Sequence, residues 1–265
     1  MEPENQRVLV GCPVYDGMEY CFDEFLNSIK SFDYSNYDIL LVENSRDKKF
    51  YNKIKKIDGI RVIYKNMKEE KNMRRLVRAR NKILDYFLER DYDYLLMMDA
   101  DVIAPPNIIK ELIKQNKDII SGLYFNYFFE NGREVVGPIA WESINEAEFE
   151  WLKNNNRLPY GCKVKEDVKL QLSAKKYMSN LIYEVIMPSA GCMLIKKEVL
   201  RKGARYGILQ ISEITNKRGT SGDDVYFMRE AFRRGFRAYC HTGIKCRHLI
   251  QGKFIGEKKI HPLEL

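Results

Sequence analysis

Apolar and polar positions in the first hundred residues fall into blocks that alternate between the period of a buried strand and that of an amphipathic helix. Residues 7–15, Arg-Val-Leu-Val-Gly-Cys-Pro-Val-Tyr, predict a buried strand ending at Pro13. Phe22, Phe25, Leu26 and Ile29 follow at helical spacing. Residues 38–44 predict a second strand, a short helix near 48–57 comes next, and Arg61-Val62-Ile63-Tyr64 predicts a third strand. Met73, Leu76, Val77, Ile83, Leu84, Phe87 and Leu88 make the apolar stripe of a longer helix. Tyr94-Leu95-Leu96-Met97-Met98 is again a buried strand. Strands alternating with helices in this way argue for an α/β fold, with a mainly parallel, Rossmann-like sheet covered by helices on both faces.

The pattern continues less regularly. Pro105-Pro106 open a helix to about Gln115, since proline suits a first helical turn. Residues 118–125 predict a strand. Residues 126–185 hold many aromatics and charges with little period, and loops and short strands are the expectation there. Order returns at Ala190–Ile195 and Lys197–Leu200. A helix from Asp223 to about Arg234 stops at Gly235, and a strand over Phe236–Cys240 leads towards His248.

The chain has 265 residues, enough for one large domain or two small lobes around one core. No stretch approaches the roughly 18 apolar residues that span a bilayer. The polar, acidic start, Met1 to Gln6, is not a signal peptide, so the expected location is cytoplasmic. The formal charge of +8 favours an anionic partner and leaves peripheral membrane contact open. No basic tail suggests duplex nucleic acid; the basic residues are spread out apart from Arg74, Arg75, Arg78 and Arg80. Six cysteines (Cys12, Cys21, Cys162, Cys192, Cys240, Cys246) form no Cys-X-X-Cys pair, and Cys240, His241, Cys246 and His248 match no zinc spacing.

The candidate chemistry sits at strand ends. Asp99-Ala100-Asp101 closes an apolar strand, at the edge where open α/β sheets bind ligands. Two carboxylates so close stay ionised most easily with a cation between them and another anion, which points to a divalent metal and a diphosphate. The alternative is a polar turn. Tyr15 and Glu43, at the ends of the first two strands, have the chemistry to meet a base or ribose, and Arg80 a phosphate. Surface turns, and for Arg80 a solvated helix face, are the alternatives. Gly222-Asp223-Asp224 opens a helix, where acids also favour the dipole. A carboxylate there, ionised at neutral pH, is a candidate base against a hydroxyl. His248 has the chemistry to complete an oxygen-and-imidazole shell suited to Mn²⁺, with a structural histidine as the alternative.

Taken in order, Val10–Tyr15, Leu41–Ser45, Ala79-Arg80-Asn81, Met98–Asp101, Ser189–Ile195, Gly222–Phe227 and His248 resemble the GT-A fold glycosyltransferases, family 2 in particular. The resemblance implies a nucleotide-sugar-binding half at residues 1–105 and a fused acceptor-binding, catalytic half at 106–265. It implies a UDP- or GDP-sugar donor held by Pro13, Tyr15, Glu43, Asn44, Arg80, Asp99 and Ala100. Asp101, with Asp99 and His248, would hold Mn²⁺ or Mg²⁺. Asp224 would be the catalytic base, with Asp223 at the glutamate that usually precedes it, and the reaction a direct displacement with inversion. The chain departs from the pattern at Asp223, at Glu43-Asn44, where many relatives have aspartate, and over 126–185, which leaves the acceptor (glycan, lipid-linked or protein) open. Tyr124, Tyr127, Phe128, Trp141 and Trp151 are candidates for stacking on sugars or for core packing.

Three other readings stand beside it. Asp-X-Asp with a later Gly-Asp-Asp also occurs in haloacid-dehalogenase-like phosphatases, but those usually carry the pair on their first core strand. A sugar nucleotidyltransferase on a related fold would release pyrophosphate. A basic nucleotide- or RNA-binding module would explain the charge and leave both acid pairs unused.

Overall fold

In the computed structural model, the structure describes residues 5–65, 72–130, 132–158, 165, 168–209, 222–250 and 252–255; Cys162 lies outside them. In chain order the elements begin β1 (Val8–Val14), α1 (Phe22–Lys30), β2 (Tyr37–Glu43), α2 (Lys49–Ile54), β3 (Arg61–Tyr64), α3 (Asn72–Leu88) and β4 (Tyr94–Met98). They continue with β5 (Val102–Ile103), α4 (Ile108–Lys114), β6 (Ile119–Leu123), β7 (Phe125–Glu130), β8 (Arg133–Pro138), β9 (Trp141–Ser143) and α5 (Glu146–Asn154). The remainder are β10 (Lys169–Gln171), α6 (Ala174–Tyr177), β11 (Ile182–Val185), β12 (Cys192–Lys196), α7 (Lys197–Arg201), α8 (Asp223–Arg233), β13 (Ala238–Lys245), β14 (Arg247–Ile250) and β15 (Lys253–Phe254).

Eight strands form the central sheet in the order β11-β13-β6-β12-β4-β1-β2-β3. β3, β2, β1 and β4 run parallel. β12 is antiparallel to both β4 and β6, β13 is parallel to β6, and β11 is antiparallel to β13. The sheet is thus mostly parallel and continuous across both halves of the chain. Successive strand residues point to opposite faces. Val8, Val10, Cys12 and Val14 of β1 join a core with α1 and α4, through Phe25, Ile29, Ile108 and Leu112. Leu9 joins the opposite core, with Ile83 and Phe87 of α3, Leu200 of α7 and Phe227 of α8.

Several local expectations change. β1 runs through Pro13 to Val14. Its pairing with β4 ends at Gly11, whereas Val14 still accepts from Asn44 N–H on the β2 side. Alternation puts the missing Pro13 N–H on the side where the ladder has ended, so no bond is lost. The buried face of α3 begins with Arg75, Ala79 and Arg80, while Met73, Leu76 and Val77 are only partly covered. The last long strand continues to Lys245. The unpatterned stretch contains the β7–β8 hairpin, the β9–β10 pair and α5, whose capping box joins Asn145 and Glu148.

Candidate active site

Gly11 decides how close α3 comes to the sheet. A Cβ there would sit 2.3 Å from Ile83 Cγ2, so only glycine lets the helix rest on β1. One turn before Ile83, this contact brings Arg80 to the carboxyl edge of the sheet. Arg80 is only 4% exposed, which excludes a solvated helix face. Its Nη2 donates to Asp99 Oδ1 at 2.6 Å, and its Nη1 lies 3.0 Å from Asp223 Oδ2. The second contact is an ion pair whose angle falls outside hydrogen-bond geometry, and Arg80 Nε has no partner among the described residues. The guanidinium lies over the Tyr206 ring at 5.1 Å, and that ring stacks on Phe227 of α8 at 4.6 Å. Asn81 fixes the same segment twice: its side chain donates to Tyr206 O at 2.9 Å and accepts from Tyr206 N–H at 3.0 Å.

Arg80 therefore joins the strand-end acid Asp99 to the helix-start acid Asp223, 124 positions further along the chain. Burial works against its charge, but Asp99 and Asp223 more than offset this and hold the guanidinium well above its ordinary pKa. Burial also raises both carboxyls, with Arg80 opposing the rise. Asp224, next to Asp223, is only partly covered, and its Oδ1 accepts from Val225 N–H at 2.8 Å. Of the two acids, Asp224 is the more exposed.

Asp99-Ala100-Asp101 is itself a tight turn, closed by Val102 N–H to Asp99 O at 3.1 Å. The polar-turn reading and the ligand reading are thus compatible. β5 leaves this turn and pairs with β14, which sets His248 opposite Val102. His248 Nε2 then lies 3.5 Å from Asp101 Oδ2, and Nδ1 is 3.0 Å from Phe125 O. A carbonyl oxygen only accepts, so Nδ1 carries the proton and a neutral ring turns the Nε2 lone pair towards Asp101. Burial opposes charge on His248, but Asp101 and the Phe125 carbonyl outweigh it and raise the pKa.

The expected three-ligand set of Asp99, Asp101 and His248 is not gathered. Among the described residues no three His, Cys, Asp or Glu side chains form a metal cluster. Arg80 holds one oxygen of Asp99. Asp101 and His248 remain a carboxylate and an imidazole whose Nδ1 is fixed by a backbone carbonyl, a pair with the chemistry to give a divalent metal two ligands. Cys240, His241 and Cys246 offer nothing to such a centre. Cys240 and Cys246 are buried, and Cys246 Sγ points to Cys192 Sγ at 3.5 Å.

On the other side of β1, Glu43 is fully buried and Asn44 nearly so, which excludes a surface turn. Glu43 Oε1 accepts from Ser45 N–H at 2.8 Å, while Oε2 has no partner among the described residues. Burial raises the Glu43 carboxyl, and the bonds to Ser45 oppose this. Arg75 Nη1 donates to Asn44 O at 3.3 Å, so two of the four clustered arginines are interior groups. Pro13 is buried in β1, Ala100 is buried in the turn, and Tyr15 is 37% exposed. Tyr124 is buried, takes a hydrogen bond from Gly191 N–H and packs edge-on to His248, so it braces the site. Trp151 is half-exposed under Arg157. Tyr206 is the group that sequence reasoning missed; it stands alone in an unpatterned stretch and gives no local signal.

This arrangement has the acids, the cation and the sheet edge of a sugar-transferring α/β enzyme. The chain matches the Glycosyl transferase family 2 profile over residues 10–203. It belongs to that family, whose class is that of the glycosyltransferases. The chain also aligns with the crystal structure of TarS from S. aureus, with a TM-score of 0.48 and 13% sequence identity over 89% of this chain. The matched region is 35% of TarS, so this chain spans about a third of that protein. Among the described residues no helix is long and apolar enough to cross a membrane.

Proposed function

We propose that the chain transfers a sugar from a nucleotide-sugar, with a UDP- or GDP-sugar as the donor class, to an acceptor hydroxyl with inversion at the anomeric carbon. The observation that carries this reading is the Asp99–Arg80–Asp223 link, which holds the strand-end acids and the start of α8 together at one edge of the sheet. The donor half would be residues 1–105 and the acceptor half 106–265. Tyr15, Pro13, Glu43 and Asn44 would line the nucleoside side, and Asp99 and Ala100 the ribose and diphosphate side. Asp101 and His248 would hold Mn²⁺ or Mg²⁺, which when bound supplies positive charge against the diphosphate.

Asp224 takes the proton of the acceptor hydroxyl. The oxygen attacks the anomeric carbon from the face opposite the diphosphate, the bond to the diphosphate oxygen breaks, and the nucleoside diphosphate departs. Asp223 and Arg80 act as positioning residues. Each is buried and occupied by the other, so Asp223 fixes the first turn of α8 and leaves Asp224 facing the acceptor side.

The test is donor turnover, by hydrolysis or transfer, with UDP- and GDP-sugars and Mn²⁺ or Mg²⁺. Asp224→Asn should lower kcat by about 10²- to 10⁴-fold, the usual reach of a general base, while the thermal midpoint holds. His248→Ala should abolish the Mn²⁺-dependent rise in midpoint given by UDP or GDP. Full activity in Asp224→Asn would remove the base assignment, and a product of retained configuration would remove direct displacement.

A further inference from the structure

At the opposite end of the sheet a cleft of about 480 Å³ opens between the start of β1, the start of β3 and the end of α3. That volume lies within the range of small-ligand sites. Three arginines from separate segments meet there, Arg7, Arg61 and Arg90, against a single lining carboxylate, Asp38. Asp38 is already engaged: its Oδ2 accepts from Arg7 Nη2 and from the Tyr92 hydroxyl, each at 2.8 Å. Arg7 lies over the Tyr92 ring at 4.6 Å. Arg90 and Arg61 share the Tyr86 ring, at 3.5 and 5.8 Å from its centre. Arg90 also meets Glu89, at 3.2 Å on the exposed surface. Arg61 makes no ion pair among the described residues.

Two guanidiniums on one ring repel each other, and the lining acid is spent on a third. The ring contacts hold Arg7 and Arg90 in place, and a held guanidinium fork suits an oxyanion with more than one acceptor oxygen. The site would stand about 20 Å from the catalytic edge, the length of β1, and a ligand there would not compete with the donor diphosphate. We infer that this cleft binds a phosphate-type oxyanion, free or carried by a lipid headgroup, with Arg61 and Arg90 as its principal contacts. Such a ligand would anchor the protein or occupy a second site while the catalytic edge stays open. None of these residues belongs to the proposed catalytic machinery, so the inference stands or falls apart from that reading.

The test uses the whole chain in EDTA, which removes metal-assisted binding at the catalytic edge. Inorganic phosphate and pyrophosphate are titrated by calorimetry, and sedimentation is followed with phosphatidylglycerol-containing and pure phosphatidylcholine vesicles. Binding should weaken about 10-fold or more in Arg61→Gln/Arg90→Gln, persist in Asp101→Ala, and fall with added salt. Arg61→Gln alone, at an exposed strand start, keeps the test if the double variant fails to fold. Soluble anions binding without vesicles assigns a free phosphate; selective binding of the anionic vesicles assigns a headgroup. Binding unchanged in the arginine variants, or no binding of any probe, overturns the inference.

Discussion

Replacing Arg80 with methionine removes the cation that Asp99 and Asp223 share and keeps most of its volume. Asp223 is 5% exposed and the Asp99 side chain 29%, so water replaces the guanidinium poorly. Breaking a buried pair by deleting one partner costs about 3–5 kcal/mol, because the other charge is left uncompensated. For 265 residues the unfolding entropy makes each kcal/mol worth roughly 2 °C, so the midpoint should fall by about 6–10 °C near pH 8. The pH dependence has a defined sign. Burial already raises both carboxyls, and losing Arg80 raises them further. A carboxyl raised in the folded state binds a proton that the unfolded chain has released, so stability falls as pH rises through the folded pKa. The penalty is therefore smallest towards the unfolded value of about 3.9 and grows above it. Urea and thermal melts at pH 5 and pH 8 measure this, and Arg80→Met/Asp223→Asn should recover more than about 1 kcal/mol of the loss. A drop of under about 2 °C at pH 8, equal losses at both pH values, or no recovery in the double variant would refute the buried link.

Two further predictions concern groups on either side of it. Gly191→Ala places a Cβ 2.8 Å from the Tyr124 hydroxyl and 2.9 Å from both Asp99 Oδ2 and Val102 Cγ2. It should cost about 1–3 kcal/mol by overpacking and weaken nucleoside-diphosphate binding in parallel, as read by urea melts and calorimetry; unchanged melts would mean the turn yields freely. Glu43→Gln keeps an acceptor for Ser45 N–H and removes a buried acid raised by desolvation. Its stability relative to the parent should rise with pH through the folded pKa of Glu43 and vanish in acid; a pH-independent difference in melts would contradict a buried, titrating carboxyl.

The chain by itself determined the frame. Its alternating periods place β1 to β4 and their helices, because a strand buried on both faces and a one-sided helix leave different apolar spacings. The same reading puts Tyr15, Glu43 and Asp99 at strand ends, hence at one edge. It also marks Asp223-Asp224 as a helix start. The long stretch after β6 stayed illegible because short hairpins and two-strand pairs carry too few residues to show a period. Tertiary structure alone decided the rest. For Arg80 a phosphate contact and a solvated helix face both stay open in the sequence until Gly11 lets α3 sit on β1 and buries it. The family resemblance already separates Asp101, at the metal, from Asp99, on the donor side, but only the fold shows Arg80 paired with Asp99 and the β5–β14 pairing setting His248 beside Asp101. The resemblance implies Asp224 as the base, but only the fold buries Asp223 and leaves Asp224 partly open. Each of these choices depends on contacts between residues far apart in the chain, and local spacing carries no record of them.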